Sequence, residues 1–223
     1  MKAAIDRLVL GADATGEPNS QSLRLANRHG LIAGATGTGK TVTLQRLAEQ
    51  FSDAGVAVFA ADIKGDLCGL GAAGAPQGKI AERIASMPWL DHQPQAYPVT
   101  LWDVHGRSGH PLRTTLSEMG PLLLGSLLQL TDSQQAALYA AFKVADREGL
   151  LLLDLKDLKA LLAHLKAEPQ LLGEDSALFT GASSQALLRR LATLEQQGAE
   201  ALFGEPALQL EDLLHPAADG RGP

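Results

Sequence analysis

The chain has 223 residues, 45% of them hydrophobic and only 4% aromatic, with 25 acidic against 19 basic side chains and a net charge of −6; a core of leucine and alanine is expected. No run of about eighteen apolar residues occurs, and Met1-Lys2-Ala3-Ala4-Ile5-Asp6-Arg7 lacks the apolar block of a secretion signal, so a cytoplasmic address without membrane attachment is expected. Cys68 is the single cysteine, which excludes an internal disulfide and a cysteine-based metal cluster and is read as a structural or incidental thiol.

Charge is unevenly placed. Residues 1–111 carry ten charges of each sign, whereas 112–215 carry eight positive and fourteen negative. A surface that grips nucleic acid throughout should be basic; only a local strip around Arg24, Arg28, Arg46 and Lys64 offers that character.

The first half alternates in the manner of a parallel α/β sheet. Leu23-Arg24-Leu25-Ala26 reads as a short edge strand, and Gly30-Leu31-Ile32-Ala33 as a buried strand that delivers the chain into Gly34-Ala35-Thr36-Gly37-Thr38-Gly39-Lys40-Thr41. This is the complete Walker A pattern of a phosphate-binding loop. Wrapping a triphosphate brings backbone amides onto anionic oxygens, which suits Gly34, Gly37 and Gly39, where a side chain would block approach or forbid positive φ. Lys40 supplies a point charge for the β and γ phosphates and Thr41 a hydroxyl for Mg2+. The following helix, with Leu44, Leu47, Ala48 and Phe51 at helical spacing and Gly55 as its stop, offers unpaired N-terminal amides and a favourable dipole.

Val56-Ala57-Val58-Phe59-Ala60-Ala61-Asp62 is expected as the next strand, ending in a carboxylate. A glycine-rich stretch, Gly69 to Gly78, then leads to a short helix around Lys79–Met87, ended by Pro88. Pro98-Val99-Thr100-Leu101-Trp102-Asp103 is expected as a third strand. Ligands of open α/β sheets sit at the carboxyl ends of strands, which places Asp62 and Asp103 near the nucleotide edge; the alternative for each is an aspartate that caps the turn after it.

The second half reads as helical. Thr131-Asp132-Ser133-Gln134 has the form of a capping box before a helix over Ala136–Arg147, with Gly149 as the stop. Asp154 caps Leu155–Ala167, whose leucines form one apolar face, and a further helix runs from Ser184 to Gln197 with Leu187, Leu188, Leu191 and Leu194 inward. These stripes are read as a helical core rather than a partner surface, and Arg189-Arg190 as a solvated face rather than an arginine finger.

The run His29 to Gln45 around the phosphate loop, followed by Asp62-Ile63-Lys64-Gly65-Asp66-Leu67, resembles the HerA/FtsK group of P-loop ATPases. Pro98 to Val104, Met119-Gly120-Pro121-Leu122-Leu123, Gly149 to Leu158 and Leu194-Glu195-Gln196-Gln197-Gly198 are similar to the bacterial HerA-like helicase branch with the DUF853 domain, so the likeness covers nearly the whole chain. It implies an α/β fold, a RecA-like P-loop NTPase with a partial parallel sheet and a helical insertion. The divisions expected are a core portion over 1–111, a mainly helical insertion over 112–215 and a tail over 216–223. It further implies an ATP-binding hydrolase that works on DNA as a homo-hexamer, with ATP and Mg2+ as cofactors. Residues Gly34 to Thr41 and Asp62 would hold the nucleotide and Thr41 the metal, with Lys64 and Asp66 in the motif after the second strand.

The chain departs from the family in one respect. A P-loop ATPase also uses an apolar strand ending in an aspartate that supports magnesium, the Walker B strand, with a neighbouring glutamate for the attacking water. Leu150-Leu151-Leu152-Leu153-Asp154 is the nearest imitation, but Lys156 and the leucine spacing beyond it mark the start of a helix. The expectation is that this strand lies beyond Pro223, that no N-terminal barrel precedes the loop, and that hydrolysis is slow or absent. A small P-loop phosphotransferase and a non-catalytic nucleotide-binding or oligomerising protein are the alternatives.

Overall fold

The computed structural model describes residues 6–90 and 92–223; residues 1–5, on which the reading of the extreme N-terminus rests, lie outside the described residues. The chain forms two compact units, one made of the residues up to Leu101 together with Gln209–Pro223, the other of Trp102–Leu208.

The first unit opens with an antiparallel hairpin of β1 (Arg7–Ala12) and β2 (Pro18–Ser22). Its turn is held by Asp13, whose Oδ1 accepts from the backbone N–H groups of Thr15 at 2.8 Å and Glu17 at 3.0 Å. The register shifts between Val9 and Gly11. There Gln50 of helix α1 (Lys40–Asp53) substitutes for a strand: its Oε1 accepts from Val9 N at 2.6 Å and its Nε2 donates to Val9 O at 3.0 Å. The N–H and C=O of Val9, beside the shift in register, are thereby paired. Leu8, 1% exposed, is the apolar anchor of the hairpin.

In the same last turn of α1, the Ser52 carbonyl accepts from Gly222 N, Ser52 Oγ donates to Gly222 O, and Pro223 O accepts from Val58 N at 2.9 Å. Gly222 lies so close that a Cβ on it would stand 2.2 Å from Val56 O. Arg221 reaches Ala96 O at 2.8 Å and lies over the Tyr97 ring at 5.4 Å. The segment 217–223 is thus stitched into the first unit. Helix α2 (Gly78–Ala85) follows the glycine-rich stretch, where a short helix around Lys79–Met87 was expected.

The expected strands are corrected here. Leu23–Leu25 is a 3-10 turn closed by Ala26 N donating to Leu23 O, not an edge strand. Residues 30–34 and 56–62 lie outside any ladder, and of 98–103 only Trp102 and Asp103 pair, as β3 (Trp102–Asp103) parallel to β4 (His110–Pro111) in the second unit. The described sheets are therefore two two-stranded ones. An apolar run reports what a strand would bury, whereas a ladder needs a partner at the right spacing; Leu31 at 89% and Phe59 at 72% exposure have no such cover here.

The second unit is a leucine-rich helical body. Helix α3 (Leu116–Leu127) begins at a capping box in which Thr115 Oγ1 accepts from Glu118 N at 3.1 Å. It breaks at Gly120, whose φ of 69° lies in the left-handed region, and resumes at Pro121, where a missing N–H is no loss. Helix α4 (Asp132–Glu148) starts with Gln134 accepting from Thr131 N at 3.2 Å and stops at Gly149, φ 67°. Helix α5 (Leu155–Ala167) is capped by Asp154, which accepts from Lys156 N at 2.7 Å, while Asp157 accepts from Leu153 N at 2.9 Å. Helix α6 (Gly181–Gln196) completes the set. Leu116, Leu124, Leu138, Leu158, Leu162, Leu187 and Leu191 are all fully buried in one continuous core, and Lys159 of α5 pairs with Glu195 of α6.

Leu158→Ala should cost about 2–5 kcal/mol of stability, and Leu31→Ala should stay within about 0.5 kcal/mol. Thermal unfolding followed by far-ultraviolet circular dichroism checks both. A large loss for Leu31→Ala would mean that residues 30–34 are buried.

Candidate nucleotide site

Residues 34–41 close on themselves for reasons visible in the glycines. A Cβ on Gly34 would stand 2.5 Å from Thr38 Oγ1. Gly37 and Gly39 hold φ of 79° and 91°, values that side-chain-bearing residues rarely adopt. The Ala35 carbonyl gathers the turn, accepting from Thr38 Oγ1 at 2.8 Å, Thr38 N at 3.4 Å and Lys40 Nζ at 2.7 Å. The Lys40 ammonium is therefore folded over the loop it belongs to.

Helix α1 starts directly from this loop. Its N-cap is Gly39, which has no side chain to cap with, and its first helical bond runs from Thr43 N to Gly39 O at 2.9 Å. The amides of Lys40, Thr41 and Val42 precede that bond and are left for an anion. Gly34 to Thr38 are exposed, and Lys40 and Thr41 half-buried, so the ends of these groups are open to a ligand.

The motif after residue 62 meets the loop through Asp66. Thr41 Oγ1 donates to Asp66 Oδ2 at 3.1 Å, and Gln45, one turn further along α1, donates from Nε2 to Asp66 O at 2.8 Å. Asp62 does something different. Its Oδ1 accepts from Gly65 N at 2.8 Å and Asp66 N at 3.1 Å, and its Oδ2 from Leu67 N at 2.9 Å and Cys68 N at 3.2 Å. The Leu67 N–H, then those of Asp66, Cys68 and Gly65, hold this carboxyl below the usual carboxylate range against the opposing effect of burial. Since the shift is downward, its ordering of the loop is complete above the ordinary carboxylate value of about 3.9 and is lost as pH falls through the lowered one.

Asp62 therefore takes the turn-capping role and reaches the phosphate loop through Asp66. Lys64 is exposed and has no ion-pair partner among the described residues. Arg46 pairs with Glu49 at 2.9 Å, which neutralises one charge of the basic strip, while Arg28 donates to the uncharged amide oxygen of Asn27. Asp103 belongs to the second unit, where it accepts from the N–H groups of His105, Arg107 and Ser108; these contacts lower its pKa in the same way. Gln45 closes the run that carries the family resemblance but is not among the site residues expected from the sequence. Its position four residues after Thr41, on the same helix face, is the signal that could have found it.

These residues fit a magnesium nucleotide. Glycines stand where a Cβ would collide, free helix-terminal amides and an ammonium face the place of an anion, and Thr41 with Asp66 presents the hard oxygens that Mg2+ takes alongside phosphate and water. A cavity of about 920 Å3 adjoins the loop at Gly37, Thr38 and Gly39. No described helix is long and apolar enough to cross a membrane.

A model of the helicase HerA-like C-terminal family matches residues 7–223. Comparison with curated proteins and with solved structures finds no match. With nearly all of its length matched, the chain belongs to the helicase HerA-like C-terminal family.

Proposed function

We propose that the chain is the nucleotide-binding part of a HerA-like, DNA-translocating ATPase of RecA-like fold, and that Gly34 to Thr41 hold ATP with Mg2+. The observation that carries this reading is the closed loop at the bare N-terminus of α1, with Lys40 folded over it and Thr41 facing a carboxylate. The division into a nucleotide-binding core and a mainly helical insertion, and the hexameric state, belong to the same reading.

Lys40 acts by exchange of partners. Its ammonium leaves the Ala35 carbonyl for β and γ phosphate oxygens, while the amides of residues 37–41 take the remaining oxygens. The metal, when bound, neutralises phosphate charge. Thr41 offers it a hydroxyl oxygen while the hydroxyl proton points to Asp66, and Asp62 keeps Asp66 there by fixing the backbone of 65–68.

Turnover by this chain is proposed to be slow. Among the described residues, Asp66 is the one acidic side chain hydrogen-bonded to residues 34–41. Asp154, the nearest imitation of a Walker B carboxylate, has its oxygen engaged by the N-terminus of α5. A carboxylate that orients the attacking water is a requirement of rapid phosphoryl transfer.

Lys40→Ala should weaken ATP binding by at least about tenfold, the loss of a charge-assisted contact of roughly 1.5–3 kcal/mol, in titration calorimetry; unchanged affinity would contradict the reading. Asp66→Asn should leave nucleotide binding in EDTA intact and remove most of its enhancement by Mg2+. Asp62→Asn, which keeps only one acceptor oxygen for four N–H groups, should lower the same enhancement through the loop. A full magnesium response in both variants would take these aspartates out of the site.

A further inference from the structure

The cavity beside the phosphate loop is far larger than a phosphate chain requires, and its walls are of another chemistry. At about 920 Å3 it lies in the range of sites that enclose small organic ligands. Gly37 and Gly39 line it. So do Val42, Arg46 and Glu49 of α1, residues spaced to share one side of a helix.

The rest of the lining combines two features. Leu70, Ile84 of α2 and Trp89 supply flat and branched apolar surface. The Trp89 ring is fixed, since its Nε1 donates to Gly16 O at 2.6 Å in the hairpin turn. Lys79 and Arg83, one helical turn apart on α2, also line the cavity, and neither has an ion-pair partner among the described residues. The Arg46 charge, by contrast, is met by Glu49. An apolar wall with unpaired cations beside it suits a ring system attached to an anion.

We propose that this cavity receives the nucleoside half of the nucleotide: the base against Leu70, Ile84 and Trp89, and the sugar and α phosphate toward Lys79 and Arg83. The inference rests on the reading of Gly34 to Thr41 as a phosphate grip, because the cavity shares Gly37 and Gly39 with that loop. Its consequence is that affinity for ATP contains a nucleoside contribution that inorganic phosphates cannot supply.

The test is calorimetric titration of the whole chain with ATP and with inorganic tripolyphosphate, each with Mg2+, for the unaltered protein, for Leu70→Ala and Ile84→Ala, and for their combination. Both side chains are half-buried and lie outside the leucine core, so tripolyphosphate binding also reports that the variants are folded. The expected result is ATP binding at least tenfold tighter than tripolyphosphate in the unaltered chain. In the double variant that gap should narrow at least fivefold, with tripolyphosphate affinity unchanged. Equal affinities for the two ligands in the unaltered chain, or an unchanged gap in the double variant, would overturn the nucleoside assignment and leave the phosphate grip standing. Binding of neither ligand would overturn the phosphate grip itself, and this inference with it.

Discussion

Four backbone N–H groups converge on the carboxylate of Asp62, and the geometry of the candidate nucleotide site depends on that convergence. A loop of this length has many conformations, and ordering it costs roughly 1–2 kcal/mol per residue in backbone entropy. One anion with two oxygens selects a single shape by satisfying Gly65, Asp66, Leu67 and Cys68 together. With that shape set, the Asp66 carboxylate meets Thr41 and its carbonyl meets Gln45, so α1 and the loop after residue 62 are held in one register. The same device recurs at Asp13 in the hairpin turn and at Asp103 in the second unit. In each case an aspartate after an apolar run organises the turn that follows.

The two units are stabilised differently. The second carries most of the fully buried side chains, nearly all leucine and alanine, and its helices begin at capping boxes on Thr115, Thr131, Asp154 and Thr180. Local propensity, capping and burial agree there. The first relies on single polar side chains that stand in for missing backbone partners: Gln50 on Val9, Ser52 on Gly222, Asp62 on its own loop. Fewer apolar side chains are covered, and the segment around the phosphate loop is open where a ligand's oxygens would complete its hydrogen bonding.

This contrast explains what could be read from the residues in order. Helices α1, α2, α4, α5 and α6 were legible because their signals are local: apolar spacing, Thr131 with Gln134, Asp154, and Gly149 as a stop. The tight turn at residues 34–41, with Gly37 and Gly39 at positive φ, was legible for the same reason. Helix α3 escaped because Gly120-Pro121 reads as a breaker, although glycine at positive φ followed by proline also restarts a helix. Strands at 30–34 and 56–62 were expected from apolar runs, but pairing is a property of two segments and no run states its partner. β2, Pro18–Ser22, was missed because it is polar throughout and pairs through its backbone. Asp62 and Asp66 share one motif, yet only geometry separates the residue that shapes the loop from the one that faces Thr41.

The proposed site sets an anion at the bare start of α1 and magnesium beside Thr41 and Asp66, in a chain of the helicase HerA-like C-terminal family. Hydrogen–deuterium exchange of the whole chain, with and without ATP and Mg2+, tests that placement most directly. Slowed exchange is expected at the amides of residues 37–41 and of 65–68, with the helices of the second unit unchanged. Unaltered exchange across residues 34–41 under conditions where ATP is bound would place the nucleotide elsewhere and contradict it.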